Sequence, residues 1–174
     1  MSKKNIVTIG ILVVIIILAV VIQLQKTDNM AAPDPQNCTY NVEGEDIVLE
    51  NGYSEKEIVP GSASKLITRY FGNSVEGDFN GDNILDTAFI LTQDAGGSGT
   101  FYYIAAALGG SEECKSTNAI FLGDRITIVS TEFEDGKIVV NFKEREMEEP
   151  MTAVPSVDAT AHFQIASGEL IEVH

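Results

Sequence analysis

The 174-residue chain holds 26 Asp and Glu against 11 Lys and Arg, for a formal net charge of −15. Every acidic residue lies after position 27, where only 8 basic residues stand, so that stretch carries 8 − 26 = −18. Such a field repels nucleic acid and anionic lipid, which excludes both as partners of the acidic part, and it attracts cations.

Residues 6–22 (IVTIGILVVIIILAVVI) run for 17 positions without a charge. As a helix they reach about 25 Å, and Gln23 and Leu24 extend them to an interface. Lys3 and Lys4 precede the run, which places the N-terminus in the cytoplasm and all that follows outside. Residues 1–24 are therefore expected to form the transmembrane signal anchor of a single-pass protein of the cell membrane. A cleaved signal peptide is the competing reading, but its first small pair, Ala31-Ala32, stands well past the apolar core. A lipoprotein would need a cysteine directly behind the run, and Cys38 is too far away. The processing site of type IV pilins has no counterpart. Residues 25–37, with Pro33 and Pro35 and no apolar period, read as a linker.

Residues 38–174 are expected to be an extracytoplasmic domain. Residues 40–42 and 46–50 look like strands around Glu43-Gly44-Glu45, and Asn51-Gly52 is a hairpin signal leading into residues 53–59. Residues 64–71 (SKLITRYF) fit a strand or a short helix, since Leu66, Ile67, Tyr70 and Phe71 also share a helical face. Residues 87–93 (TAFILTQ) and 100–108 (TFYYIAAAL) are the most apolar stretches and the expected central strands. Between them Asp94-Ala95-Gly96-Gly97-Ser98-Gly99 reads as a wide hairpin loop. It lacks the Gly-Lys-Ser/Thr and the following helix that a phosphate site needs. Asp135-Gly136 and Ser167-Gly168 mark two further hairpins, 126–132 with 137–142 and 161–166 with 169–173. Residues 143–150 (KEREMEEP) read as a solvated loop. The sum is a mainly β fold: a single antiparallel β domain, sandwich or small open barrel, preceded by one transmembrane helix.

Cys38 and Cys114 form no C-x-x-C unit, which argues against a zinc ribbon or redox motif. In an exported domain their pairing is the natural expectation; two free buried thiols are the alternative.

The most specific signal is Asp78-Phe79-Asn80-Gly81-Asp82-Asn83-Ile84-Leu85-Asp86. Side-chain oxygens fall at relative positions 1, 3, 5 and 9, and the carbonyl of Ile84 at position 7 supplies another. Ca²⁺ loops use this spacing because a tight turn brings alternate side chains to one point. Position 6 needs a positive φ, and after Gly, Asn is the residue best suited to it. The expected metal ligands are Asp78, Asn80, Asp82, Ile84 and Asp86, with Ca²⁺ as cofactor. A metal-free Asp/Asn/Gly turn is the alternative.

The nonapeptide resembles the calcium loops of dockerins and FG-GAP repeats, written D-x-[DN]-G-D-x-x-x-D. It departs from them in being single and in carrying Asn83 where Gly is usual. GDFNGDNILDTAFILTQDAGGSGTFYYIAAAL, TNAIFLGDRI and EPMTAVPSV together look like an uncharacterised family of small bacterial envelope proteins, in which the same loop precedes the same glycine-rich hairpin. That resemblance implies export and a single domain, and no activity.

His162 and His174 are the only histidines. No Ser-His-Asp order or H-E-x-x-H helix is available, so no catalytic residue is assigned. Arg125 is expected to pair structurally, and Tyr102 and Tyr103 to point to opposite faces of their strand. The function expected is a membrane-anchored calcium-binding module whose partner is an envelope protein or glycan. The alternative is an envelope hydrolase acting on glycan or peptide with acidic residues.

Overall fold

The structure is a computed structural model that describes Val13 and residues 15–18, 32–61, 63–110 and 114–174. Val13 and residues 15–18 are helical with exposed side chains. The rest of the expected anchor lies outside the described residues. Among the described residues no helix is long and apolar enough to cross a membrane.

Ala32–His174 form a compact unit. It opens with a 3₁₀ turn at Pro35–Asn37, capped by the Asp34 carboxylate, which accepts from the Gln36 N–H at 3.0 Å. Twelve strands follow: β1 (Thr39–Val42), β2 (Glu45–Val48), β3 (Tyr53–Glu57), β4 (Lys65–Gly77), β5 (Asp86–Asp94), β6 (Phe101–Leu108), β7 (Lys115–Ser116), β8 (Asn118–Asp124), β9 (Thr127–Glu134), β10 (Lys137–Glu144), β11 (Val157–Ala166) and β12 (Glu169–Val173). The mainly β expectation holds.

Four tight turns sit where the X-Gly pairs place them. Asn51 and Gly52 have φ of 53° and 77°, Asp135 and Gly136 of 50° and 73°, and Glu43-Gly44 and Ser167-Gly168 share this double positive φ. Two left-handed residues in succession give the turn whose twist matches that of the flanking strands, and glycine takes the second position without a Cβ clash.

The strands make two sheets. One has eight strands in the order β2-β1-β8-β6-β5-β4-β3, with β7 beside β6; the other runs β12-β11-β10-β9. Not every neighbour is antiparallel. β1 meets β8 in parallel through Asn41 and Asn118 and through Val42 and Ala119. No hairpin joins those two strands, so nothing local sets their direction.

β5 and β6 lie at the centre and are buried on both faces. That explains their unbroken apolar runs. Ala88, Ile90, Ile104 and Ala106 face a core shared with Ile138, Val140, Phe142, Phe163 and Leu170 of the second sheet. Phe89, Leu91, Tyr103, Ala105 and Ala107 face the other way, against Tyr40, Val42 and Ile47 of β1 and β2 and Leu49 just past β2. Tyr40 and Phe89 meet edge to face at 5.1 Å between centroids. The first sheet thus curls until β1 and β2 cover its inner face, while the second sheet covers the outer. Tyr102 and Tyr103 fall on these two opposite faces, as strand alternation requires.

Residues 64–71, open between strand and helix in the sequence, belong to the 13-residue β4. Gly72 (φ 103°) and Asn73 (φ 48°) interrupt its pairing with β5 and let it bend around the core. Cys38 and Cys114 are paired at disulfide distance with Cα atoms 5.5 Å apart, joining the start of β1 to the approach to β7.

Candidate metal loop

Residues 78–85 connect the end of β4 to β5, and the loop is built around its own carboxylates. Asp78 takes three backbone N–H groups: Gly81 at 2.7 Å and Asp82 at 3.1 Å on Oδ1, and Asn83 at 2.9 Å on Oδ2. Asn80 Oδ1 accepts the Asp82 N–H at 2.9 Å, and Asp82 Oδ1 accepts the Ile84 N–H at 2.8 Å. The Asn80 amide donates to Asp82 Oδ2 at 3.1 Å. These short-range bonds are the turn chemistry of Asp and Asn, which offer the backbone a partner two to five residues on. Asn83 has φ of 65°, the left-handed conformation expected at position 6.

Asp86 differs from the others. It is fully buried. Its Oδ2 accepts the Phe79 N–H and its Oδ1 the Gly109 N–H, both at 2.9 Å. One carboxylate therefore clasps the start of the loop to the end of β6. Burial pushes its pKa up, the two N–H donors pull it down, and the negative charges of Asp82 and Asp78 push it up again. The charges of Asp82 and Asp78 thus both bear on Asp86, and none of the ion pairs among the described residues involves the three acids.

The sequence reading missed Phe79, whose N–H is the second donor on Asp86, and Gly109. A Cβ on Gly109 would lie 2.3 Å from the Leu85 carbonyl oxygen and 2.7 Å from Ile84 Cγ2. Ile84 therefore covers the Gly109-Gly110 backbone, and only glycine leaves room. The Gly-Gly pair directly after a long apolar strand was the available signal.

All five expected ligands lie on this one loop and its junction with β5. Among the described residues, no group of three or more His, Cys, Asp or Glu side chains is placed to hold a metal ion. The carboxylates point to backbone N–H groups instead. The donor set, three carboxylates and an amide, consists of the oxygen ligands that a hard cation such as Ca²⁺ would take.

Elsewhere, Arg125 forms the expected structural ion pair, to the Asp124 carboxylate at 2.6 Å. Arg145 reaches further than a solvated loop implies: its guanidinium donates to the carbonyls of Ala153 at 2.7 Å and Arg125 at 2.9 Å. It ties residues 145–153 to the turn before β9. His162 stands on β11 opposite Val173.

No family model matches the chain, and no curated protein and no solved structure matches it.

Proposed function

We propose that this chain is a membrane-anchored, extracytoplasmic calcium-binding module of the bacterial cell envelope that serves as a binding or interaction domain. The observation that supports it is the gathering of Asp78, Asn80, Asp82 and Asp86 on one short loop whose Asn83 already holds the conformation a calcium loop needs, with the charges of Asp82 and Asp78 pressing on buried Asp86. Asp82 and Asn80 are exposed and turn inward on binding, while Asp86 is fixed by the core. The cation relieves the repulsion and fastens the loop to β5 and to Gly109. Its role is to stiffen one end of a β scaffold that presents a surface to an envelope partner. The uncharged run before Gln23 supports the anchor, and with the resemblance to small envelope proteins it supports a domain outside the cytoplasm.

Calcium is expected to bind the folded state alone. At a hundredfold excess over Kd this stabilises by about 2.7 kcal/mol. Millimolar calcium should therefore raise the Tm of the full chain in detergent by several degrees, and chelator should reverse the shift. Asp82→Ala should abolish most of it and Glu148→Ala should not. The affinity belongs with the weak extracellular modules, because Phe89 stands where an EF-hand has its bidentate Glu. Calorimetry that detects no calcium binding to chelator-stripped chain at millimolar concentration overturns the assignment.

The anchor has its own test. The full chain should stay with membranes through a carbonate wash, and protease should reach the β domain only from the extracytoplasmic side. A soluble mature form starting near Ala32 would show a cleaved signal peptide instead.

A further inference from the structure

Strands β2 and β3 are neighbours in sequence, joined by the two-residue turn Asn51-Gly52, yet they stand at opposite ends of the eight-stranded sheet. Glu50 and Tyr53 exchange both backbone hydrogen bonds, at 2.9 and 3.2 Å, and form an isolated bridge. Past it the hairpin does not continue: β2 pairs with β1, and β3 pairs with β4. The sheet is a barrel open along one seam. On the side where Leu49 and Ile47 point inward, the seam is crossed by the ion pair of Lys56 with Glu45.

The hydrogen-bond directions show what faces the opening. Leu49 N–H donates to Cys38, so the odd residues of β2 turn to β1. Gly52 carbonyl accepts from Tyr70, and Ile58 N–H donates to Ser64, so the even residues of β3 turn to β4. Alternation then aims the backbone groups of Asp46 and Val48 on one side, and of Glu55 and Glu57 on the other, into the seam. Among the described residues these groups have no ladder partner. Two free edges face each other across one gap, with a recess of about 350 Å³ beside the turn, lined by Val48, Glu50, Tyr53 and Glu55 among others.

We propose that this seam is a peptide-binding slot: a single extended segment of a partner protein, carrying Lys or Arg at alternate positions, inserts between β2 and β3 and closes the barrel. The backbone of such a segment bonds to both edges, as in β-strand addition. Because β2 and β3 run in opposite directions, the segment lies antiparallel to one and parallel to the other. Its outward side chains meet Asp46, Glu50, Glu55 and Glu57, all exposed. Against these four stand Lys65, already paired with Glu55, and Arg69, which lies over the Tyr53 ring at 5.6 Å from its centroid. The inward side chains meet the Lys56–Glu45 pair, which must part to admit the segment, beside the packed Ile47 and Leu49. A second copy of this chain is disfavoured, since it would bring the same acidic edge to an acidic edge. Charged residues commonly guard a free edge against pairing, but guards of one sign leave the edge open to a strand of the other. This inference specifies the partner in the interaction reading above and does not depend on calcium.

The test uses the full chain in zwitterionic detergent and a fluorescent eight-residue peptide alternating lysine and valine, read by anisotropy with calcium and with chelator. Saturable binding is expected. N-methylation of alternate peptide amides, in either register, keeps the charge and removes the N–H bonds to one of the two edges, and should weaken binding at least about tenfold. Glu50→Lys should weaken it by a similar factor, and Glu148→Lys, in the distant acidic loop, should not. Equal binding of the N-methylated peptides, an unaffected Glu50→Lys variant, no binding at all, or a stable dimer that excludes the peptide each overturns the proposal. A calcium-induced rise in Tm that survives such a result shows that the slot alone has failed; loss of both removes the module reading too.

Discussion

Replacing Cys38 and Cys114 together by serine is expected to lower the stability of the β domain by about 4 kcal/mol. The bridge joins residues 76 positions apart, and the entropy withheld from an unfolded loop of that length has this magnitude in the chain-entropy model. For a domain of this size the change amounts to a fall in Tm of roughly 10–15 °C. The site also matters locally. Cys38 is buried beside Tyr40, at the entry to the inner core, and the bridge holds the parallel meeting of β1 with β8 near its start. That contact is made at only two residue pairs, so little else fixes β1 there. Thermal melts of the double variant and of the reduced wild type, run beside the oxidised chain, measure the effect. Mass spectrometry of the non-reduced protein should show the linked peptides. Two alkylatable thiols in that sample, or coincident melts, would sink the claim.

The next largest effect is expected at Asp86. Asp86→Ala removes the acceptor of two buried N–H groups, Phe79 and Gly109. Each orphaned donor costs about 1–3 kcal/mol, partly offset by releasing a carboxylate that burial disfavours, so a net loss of about 3 kcal/mol is expected in chelator. Asp78→Ala deprives three N–H groups, but these are exposed, and water replaces the carboxylate. It should cost less than Asp86→Ala without calcium, while both variants abolish the calcium-induced rise in Tm. Chemical denaturation of the two variants in chelator and in calcium separates the roles. Equal destabilisation in chelator would show that Asp86 is one loop carboxylate among others and not the clasp between the loop and β6.

What was readable from sequence was what neighbouring residues decide among themselves. Asn51-Gly52 and Asp135-Gly136 announce their turns because only a few residue types tolerate two left-handed conformations in succession. Asn83 at positive φ, and Asp78 accepting from Gly81, Asp82 and Asn83, follow from the same short-range chemistry. The apolar runs of β5 and β6 marked them as the central strands, and the structure buries both their faces. Residues 64–71 were ambiguous because Leu66, Ile67, Tyr70 and Phe71 share a helical face, while the β-branched and aromatic residues of the run also suit a strand. Pairing with β3 and β5, on either side, makes them a strand. β8, with its weak alternation, emerged only as a partner of β6 and β1.

The rest lies between residues far apart in the chain, where spacing carries no signal. The loop's spacing brought its acids to notice, but the second acceptor bond of Asp86 goes to Gly109, 23 residues on. A Gly-Gly pair by itself does not say which carboxylate and which isoleucine will press on it. The parallel meeting of β1 with β8 has no connecting turn to announce it. The seam is the clearest case. The residues around Asn51-Gly52 describe an ordinary hairpin, and the first bridge, Glu50 with Tyr53, forms as that turn requires. Past the bridge, Ile47 and Leu49 are drawn into the inner core with β1, while β3 follows β4 around its bend at Gly72. Burial of those side chains outweighs the few backbone bonds that zipping the hairpin would add, because a buried aliphatic side chain contributes more than the net gain from a hydrogen bond exchanged with water.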